Sequence, residues 1–245
     1  MSWLRIVQID VPEQRLDAAV AFWAAALSAE PTDAPGAFVH LVDATSALEV
    51  HVQSIGDDPP RYHLDLEADD RDREVARLVT AGVAATASFD ADGYTVLSDP
   101  AGVPLCVIDP TAAAPTRVAP RRPDRGYLGA VVLDVPEQAA DRTVGFWSSA
   151  LGLDPRRAVD SPPFRELPGV VGPGGGVQLL VQSIGRGTAA RVHVDLIAPD
   201  TAAEVHRLEA LGAHRIGEHV DWTTLRDPVG NLLCVVSADA VAATG

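Results

Sequence analysis

Hydrophobic and polar residues alternate along several short segments of the chain, and each such segment predicts a β-strand with one buried face. In segment 5–11, for example, the apolar residues Val7 and Ile9 alternate with the polar residues Gln8 and Asp10. Successive side chains of a strand point to opposite faces, so Gln8 and Asp10 should share the face opposite the core. The same reasoning predicts strands at 37–42, 47–55, 62–67, 84–88, 93–98 and 104–109.

Two segments carry the helical period instead. Leu16, Val20, Trp23 and Leu27 recur every three to four residues, which predicts a helix within 12–28. A second helix is expected to begin after Asp70, a good N-cap residue, and to end at Gly82. The order strand, helix, strands, helix, strands predicts an α+β fold.

The chain also repeats itself once, with small changes of spacing. IDVPEQ at 9–14 recurs as LDVPEQ at 133–138, and VQSIG at 52–56 returns unchanged at 181–185. RYHLDL at 61–66 recurs as RVHVDL at 191–196, and DPAG at 99–102 recurs as DPVG at 227–230. So many ordered matches indicate a tandem duplication. We expect domain 1 at 3–109, a proline-rich linker at 110–126, domain 2 at 127–237 and a loose tail at 238–245.

The amino-acid composition narrows the range of possible functions. The formal net charge is −15, which argues against a nucleic-acid partner. All 19 basic residues are arginines, so chemistries that need a lysine amine, including Schiff-base enzymes and Walker-type phosphate loops, are excluded. No apolar run has the length of a membrane span and the amino terminus lacks the features of a secretory signal, so a cytoplasmic protein without a membrane partner is expected. Two cysteines, Cys106 and Cys234, are too few for a disulfide framework.

Four motifs, each present twice in the same order, resemble the vicinal oxygen chelate superfamily and its glyoxalase-like and bleomycin-resistance-like members. They are DVPE ahead of a helix with Phe-Trp, the HLDL strand, EVxRLxxxG, and DPxGxxxC. The resemblance implies two tandem domains, each of two βαβββ modules whose mixed sheet curls into a cup with helices on its outer face. It also implies a small organic ligand in the cup, often on a divalent metal.

The resemblance assigns four metal-ligand positions to each domain, and several of them have changed. They fall on Ile6, Glu49, His63 and Cys106 in domain 1, and on Ala130, Gln178, His193 and Cys234 in domain 2. Glu49, His63 and Cys106 could still hold zinc, nickel, cobalt or manganese, although no cofactor is certain. His51 could substitute for a missing ligand or be a solvated strand residue. The catalytic candidates are His63, Asp65 and Glu49.

Strand alternation independently gives candidate ligand-binding residues, because one face of each sheet is polar across several strands. The candidates on this face are Gln8, His51 and Gln53 in domain 1 and Gln182 and His193 in domain 2. Tyr94 and Trp222 occupy equivalent positions and could either form an apolar wall for the ligand or pack between the domains. An ordinary solvent-exposed polar face would look much the same. His63 and Asp65 lie two residues apart on one strand, so they could form a metal-free acid–base pair or only a structural hydrogen bond.

Three functions remain open. The first is a metal-free cup that binds a small organic molecule, as drug-sequestering relatives do. The alternative is a divalent-metal enzyme using domain 1, a lyase or isomerase rather than a ring-cleaving dioxygenase. In the third, domain 2 has become a structural or dimerising partner. The tandem copies are consistent with a monomer of pseudo-dimeric domains or with a homodimer.

Overall fold

The computed structural model describes residues 2–33, 38–42, 48–110, 124–157, 164–167 and 177–243. Most of the predicted linker, residues 111–123, lies outside these ranges. The elements of the first domain are β1 (Ser2–Val11), α1 (Leu16–Leu27), β2 (Glu30–Asp33), β3 (Phe38–Val42), β4 (Glu49–Ser54), β5 (Arg61–Ala68), α2 (Arg71–Thr80), β6 (Ala84–Phe89), β7 (Tyr94–Ser98) and β8 (Pro104–Ile108).

The second domain repeats this order. Its elements are β9 (Tyr127–Val135), α3 (Ala140–Leu151), β10 (Arg156–Arg157), β11 (Phe164–Leu167), β12 (Gln178–Ser183), β13 (Arg191–Ala198), α4 (Thr201–Ala210), β14 (His214–Glu218), β15 (Trp222–Arg226), β16 (Leu232–Ser237) and α5 (Ala238–Ala243). The tail predicted to be loose therefore begins with a helix, α5. No helix in the described part of the chain is both long and apolar enough to cross a bilayer.

Within the described residues, each domain forms one mixed sheet of eight strands. The strand order in the first is β2-β3-β4-β1-β5-β8-β7-β6, and the second sheet repeats it. β1 and β5 form an antiparallel pair at the centre of the sheet. β4 runs parallel to β1 on one side of this pair, and β8 runs parallel to β5 on the other side. The remaining hairpin strands form the two ends of the sheet. This is the predicted α+β fold of two tandem domains built from βαβββ modules. The short strand β2 was not predicted, because its sequence EPTD has no apolar alternation.

Alternation along the strands decides which face of each sheet meets the helices. Val7 and Ile9 on β1, with Leu64 and Leu66 on β5, are almost completely buried in the core. α2 begins as predicted, because Asp70 accepts a hydrogen bond from the backbone N–H of Arg73. The opposite face of each sheet is left to form a cup.

Reciprocal hydrogen bonds join the two domains. The buried indole of Trp23 on α1 donates to Asp227 Oδ2 of the second domain at 2.9 Å, and Trp147 on α3 donates to Asp99 Oδ2 of the first at 3.0 Å. Both tryptophan side chains are almost completely buried. Their partners are the aspartates of the repeated DPxG turns, so these motifs build the contact between the domains.

Arginines extend this contact at the helix ends. Arg207 on α4 donates to the carbonyl oxygens of Ala25 and Ala26 at the end of α1. Arg77 on α2 donates to Ser149 and Ala150 at the end of α3. Terminal carbonyls lack partners within their own helix, and the helix dipole favours a cation there. The ends of helices therefore form part of the contact between the domains.

Candidate functional site

The cup of the first domain, cup 1, is a cavity of about 760 Å³. Its floor comes from the four central strands and its walls from the two hairpins. The predicted ligand-binding residues of this domain, Gln8, His51, Gln53 and Tyr94, all line it. The catalytic and metal candidates Glu49, His63, Asp65 and Cys106 line it as well. Placement in one cavity is what strand alternation predicted; the roles of these residues stay predictions.

At the floor, a buried imidazole lies between two carboxylates. His63 Nδ1 is 2.9 Å from Asp10 Oδ2, and His63 Nε2 is 3.2 Å from Asp65 Oδ1. The pairing of β1 with β5 sets this arrangement, because it places Gln8 directly beside His63. Gln8 Nε2 in turn donates to Asp65 Oδ2 at 3.0 Å. The imidazole is therefore held from both sides.

The charge of His63 follows from these neighbours. Burial by itself lowers the pKa of His63, but the negative charge of Asp65 and hydrogen bonds to Asp10, Asp65 and Cys106 outweigh it and raise this pKa well above the ordinary value. The raised pKa favours the protonated imidazolium, whose Nδ1 donates to Asp10 Oδ2 while Nε2 makes an ion-pair contact with Asp65 Oδ1. Burial also raises the pKa of the Cys106 thiol, which stays protonated. Arg61 Nε, 3.2 Å from Asp10 Oδ2, completes the charge balance of the floor.

One wall of cup 1 holds a separate cluster around Glu49. The buried Arg5 guanidinium donates to Glu49 Oε1, and His51 Nε2 lies 3.1 Å from Glu49 Oε2. The hydrogen bond from His51 is the main cause that lowers the pKa of Glu49. The ring of His40 on β3 stacks on His51, with centroids 3.8 Å apart and planes inclined by 5°. Burial, followed by the charge of His51, lowers the pKa of His40, so His40 is neutral at pH 7.

The second domain repeats the floor but not this wall. In its cavity of about 330 Å³, cup 2, His193 lies 3.3 Å from both Asp134 Oδ2 and Asp195 Oδ1. The contact between His193 Nδ1 and Asp134 Oδ2 is an ion pair and not a hydrogen bond, because its geometry does not suit a hydrogen bond. Gln182 and Trp222, the other predicted ligand-binding residues, line cup 2, and so do Ala240 and Val241 of α5.

Substitutions in the second copy explain why cup 2 lacks the cluster that surrounds Glu49 in cup 1. Gln178 and Leu180 stand where the first domain has Glu49 and His51. Gly129 stands in place of Arg5, and a Cβ there would come within 2.1 Å of Ile197. No arginine can therefore enter from this position of β9. The two cups share a floor and differ in their chemistry above it.

Some residues around cup 1 were not identified from the sequence as site residues. Arg5, Asp10 and His40 contact candidate residues directly, and Arg61 contacts Asp10. A signal was available for two of them, because Asp10 and Arg61 recur in the second copy as Asp134 and Arg191, which form the same ion pair at 2.8 Å. Arg5 carried no such signal, because its counterpart is Gly129.

Comparison with known families identifies both copies. A model described as a glyoxalase-like domain matches residues 7–108 and again residues 130–236. The chain belongs to the glyoxalase-like domain family. The predicted resemblance to the vicinal oxygen chelate superfamily is thereby confirmed. No curated protein sequence matches the chain.

Solved structures of related fold include metal-bound and oxygen-using enzymes. The Mn(II)-bound glyoxalase from Novosphingobium aromaticivorans superposes with a TM-score of 0.69 at 18% identity, covering 97% of this chain and 83% of that one. The 2,2',3-trihydroxybiphenyl 1,2-dioxygenase from Sphingomonas wittichii strain RW1 gives a TM-score of 0.60 at 14% identity, covering 97% and 90%. Identities this low establish a common fold and nothing about activity.

The side chains at the ligand positions of the glyoxalase-like fold do not fit a preformed metal site in domain 1. Ile6 offers no donor atom, and Glu49 is neutralised by Arg5. The raised pKa of His63 favours its protonated form, which has no lone pair for a metal. Glu49, predicted as a ligand beside His63 and Cys106, is not part of the group that the structure brings together. Among the described residues, the atoms that lie within 4.8 Å of one another belong to His63, Asp65 and Cys106, and in the second domain to His193, Asp195 and Cys234.

Proposed function

We propose that this glyoxalase-like protein binds a small organic molecule in cup 1 without a resident metal. The observation that carries the proposal is a cavity of about 760 Å³ whose floor is closed by the His63 ring, held between the carboxylates of Asp10 and Asp65. The volume falls in the range of about 300–1,000 Å³ typical of sites for drug-sized ligands. A protonated His63 fills the place of a cation at the floor, since it already neutralises Asp10 and Asp65.

Differences between the domains support assigning the ligand to cup 1. Cup 2 is less than half as large, and α5 contributes two residues to its lining. The Arg5, Glu49 and His51 cluster exists only in the first domain among the described residues. Domain 2 supplies a packing partner through Asp227 and Arg207, which is the pairing expected of a monomer with pseudo-dimeric domains.

A thermal-shift experiment with matched cavity-filling variants tests this proposal. Val96 and Thr224 occupy equivalent positions on β7 and β15, opposite Cys106 and Cys234, and each lines its own cup. For wild-type protein purified without a histidine tag, we expect no stoichiometric metal. A ligand from an aromatic compound library, present at 100 times its Kd, should stabilise by about 2.7 kcal/mol. That corresponds to a rise in Tm of roughly 5–10 °C.

Val96→Phe is expected to abolish this stabilisation by filling cup 1, whereas Thr224→Phe should leave it intact. Stabilisation that survives Val96→Phe would place the ligand elsewhere, and a library without any stabilising compound would contradict the proposal.

A second candidate function is favoured by the grouping of His63, Asp65 and Cys106. In it the protein is a divalent-metal enzyme, a lyase or isomerase or, less favoured, a dioxygenase. Binding would have to displace the His63 proton and the Cys106 thiol proton. Titration with zinc, nickel, cobalt and manganese tests it: stoichiometric uptake with proton release, lost in Cys106→Ser and kept in Cys234→Ser, would establish this candidate. Our proposal predicts no stoichiometric uptake in cup 1.

A further inference from the structure

The walls of cup 1 are aromatic on both sides. On β3 and β4 the rings of His40 and His51 stack with a centroid separation of 3.8 Å. On β6 and β7, at the other end of the same sheet, Phe89 and Tyr94 stack at 4.7 Å with planes inclined by 20°. All four rings line one cavity. Paired ring faces on opposite walls favour a flat aromatic ligand, which can offer a face to each.

The floor and rim of cup 1 present acceptors rather than charged donors. Each of the two arginines near the floor and the Glu49 cluster already contacts a carboxylate: Arg61 contacts Asp10, and Arg5 contacts Glu49. An anionic ligand would therefore have to displace an existing ion pair. Asp92 lines the rim, and no basic side chain of the described chain lies within ion-pair distance of it.

Buried oxygen atoms at the floor point to the same polarity. Gln8 Oε1 and Asp10 Oδ1 accept no hydrogen bond, although both side chains are more than nine-tenths buried. A buried acceptor without a donor costs about 1–3 kcal/mol, so a ligand that supplies N–H groups after a small side-chain adjustment would relieve this cost. The amide of Gln53 and the hydroxyl of Tyr94 can each donate or accept a hydrogen bond, so they do not distinguish a donor ligand from an acceptor ligand.

We propose that cup 1 takes a flat aromatic cation bearing N–H donors. This inference rests on the proposed function and adds the chemical class of the ligand. Ring faces attract cations, Asp92 and the overall net charge of −15 favour positive charge, and the floor oxygens Gln8 Oε1 and Asp10 Oδ1 lack a donor. A flat aromatic cation with N–H groups is a hydrogen-bond donor. A ligand with neighbouring oxygen atoms is instead an acceptor, and it needs a metal or a free donor in its site.

Two dyes of similar size and opposite charge test the inference on the full chain. Proflavine is a flat aromatic cation with amino donors, and 8-anilinonaphthalene-1-sulfonate is an aromatic anion. Fluorescence anisotropy should show one proflavine bound per chain, with affinity at least tenfold higher than for the anion. Val96→Phe should abolish this binding. Tyr94→Ala should weaken it about tenfold, and Tyr94→Phe, which keeps the ring, should change it by less than about twofold.

A matched pair of variants tests how much the charge of Asp92 contributes to proflavine binding. Asp92→Asn should weaken proflavine binding about threefold and reduce its salt dependence. Asp141→Asn makes the same charge change on an exposed position of α3 and should have no effect. Equal effects of Asp92→Asn and Asp141→Asn would show that proflavine responds only to net charge, and would overturn the inference.

Two further outcomes would also overturn it. Tighter binding of the sulfonate, abolished by Val96→Phe, would refute the ligand class while leaving the proposed function standing. Failure of proflavine to bind, or binding unchanged in Tyr94→Ala, would refute the ligand class too. The proposed function is decided separately, by the thermal shifts of Val96→Phe and Thr224→Phe.

Discussion

Replacing Asp227 with alanine is expected to lower the free energy of unfolding by about 3–5 kcal/mol. Asp227 is 2% exposed and accepts four hydrogen bonds. Three come from backbone N–H groups of its own turn, at Val229, Gly230 and Asn231, and the fourth is from the Trp23 indole across the domain contact. Removal of the carboxylate leaves the Trp23 indole and the N–H groups of Val229 and Asn231 without a partner inside the protein, whereas the N–H of Gly230 keeps its bond to the backbone oxygen of Asp227. Urea unfolding followed by circular dichroism measures the change.

Trp23→Phe is the matched control for the part of this effect that crosses between domains. It keeps an aromatic ring in the core but loses the one donor to Asp227, so we expect a smaller loss of about 1–2 kcal/mol. Asp99, which accepts from Ala101, Val103 and Trp147, should behave like Asp227 when replaced. A loss below about 1 kcal/mol in Asp227→Ala would show that the reciprocal contact does little to hold the domains together.

His63→Gln is expected to destabilise the protein by about 3–5 kcal/mol at pH 6, because it leaves Asp10 and Asp65 buried without the imidazolium between them. His193→Gln is the equivalent change under cup 2. It should cost less, because its ion pairs are 3.3 Å long and its ring lacks hydrogen-bond geometry at Nδ1. Urea unfolding of both variants beside the wild type gives the comparison.

The pH dependence of the His63 effect has a defined sign. The pKa of His63 is raised in the folded protein, so the group binds its proton more tightly folded than unfolded. Its contribution is fully present below the unfolded pKa of about 6.5 and is lost progressively as pH rises toward the folded pKa. The stability difference between wild type and His63→Gln should therefore be larger at pH 6 than at pH 9. A difference that grows with pH would mean that His63 is neutral in the fold.

The repeat and the period of two determined much of this protein from the sequence. They predicted two copies of one α+β fold and the face of each strand that forms a cup, because alternation is local and does not depend on which strands pair. Glu49, His51, His63 and Cys106 line one cavity for this reason. The family followed from four motifs, which are now seen to include residues that join the domains, such as Trp23 and Asp227.

The partners of each charged group were decided only by tertiary structure. His63 meets Asp10 because β5 pairs antiparallel with β1 in one particular register, and a shift of one residue would turn these side chains to opposite faces. An irregularity between Leu4 and Ile6 lets the Arg5 guanidinium reach Glu49, although strict alternation assigns Arg5 to the core face. The sequence shows which residue types are available, but strand register and a bulge set the distances that place the His63 ring between two carboxylates and Glu49 beside Arg5.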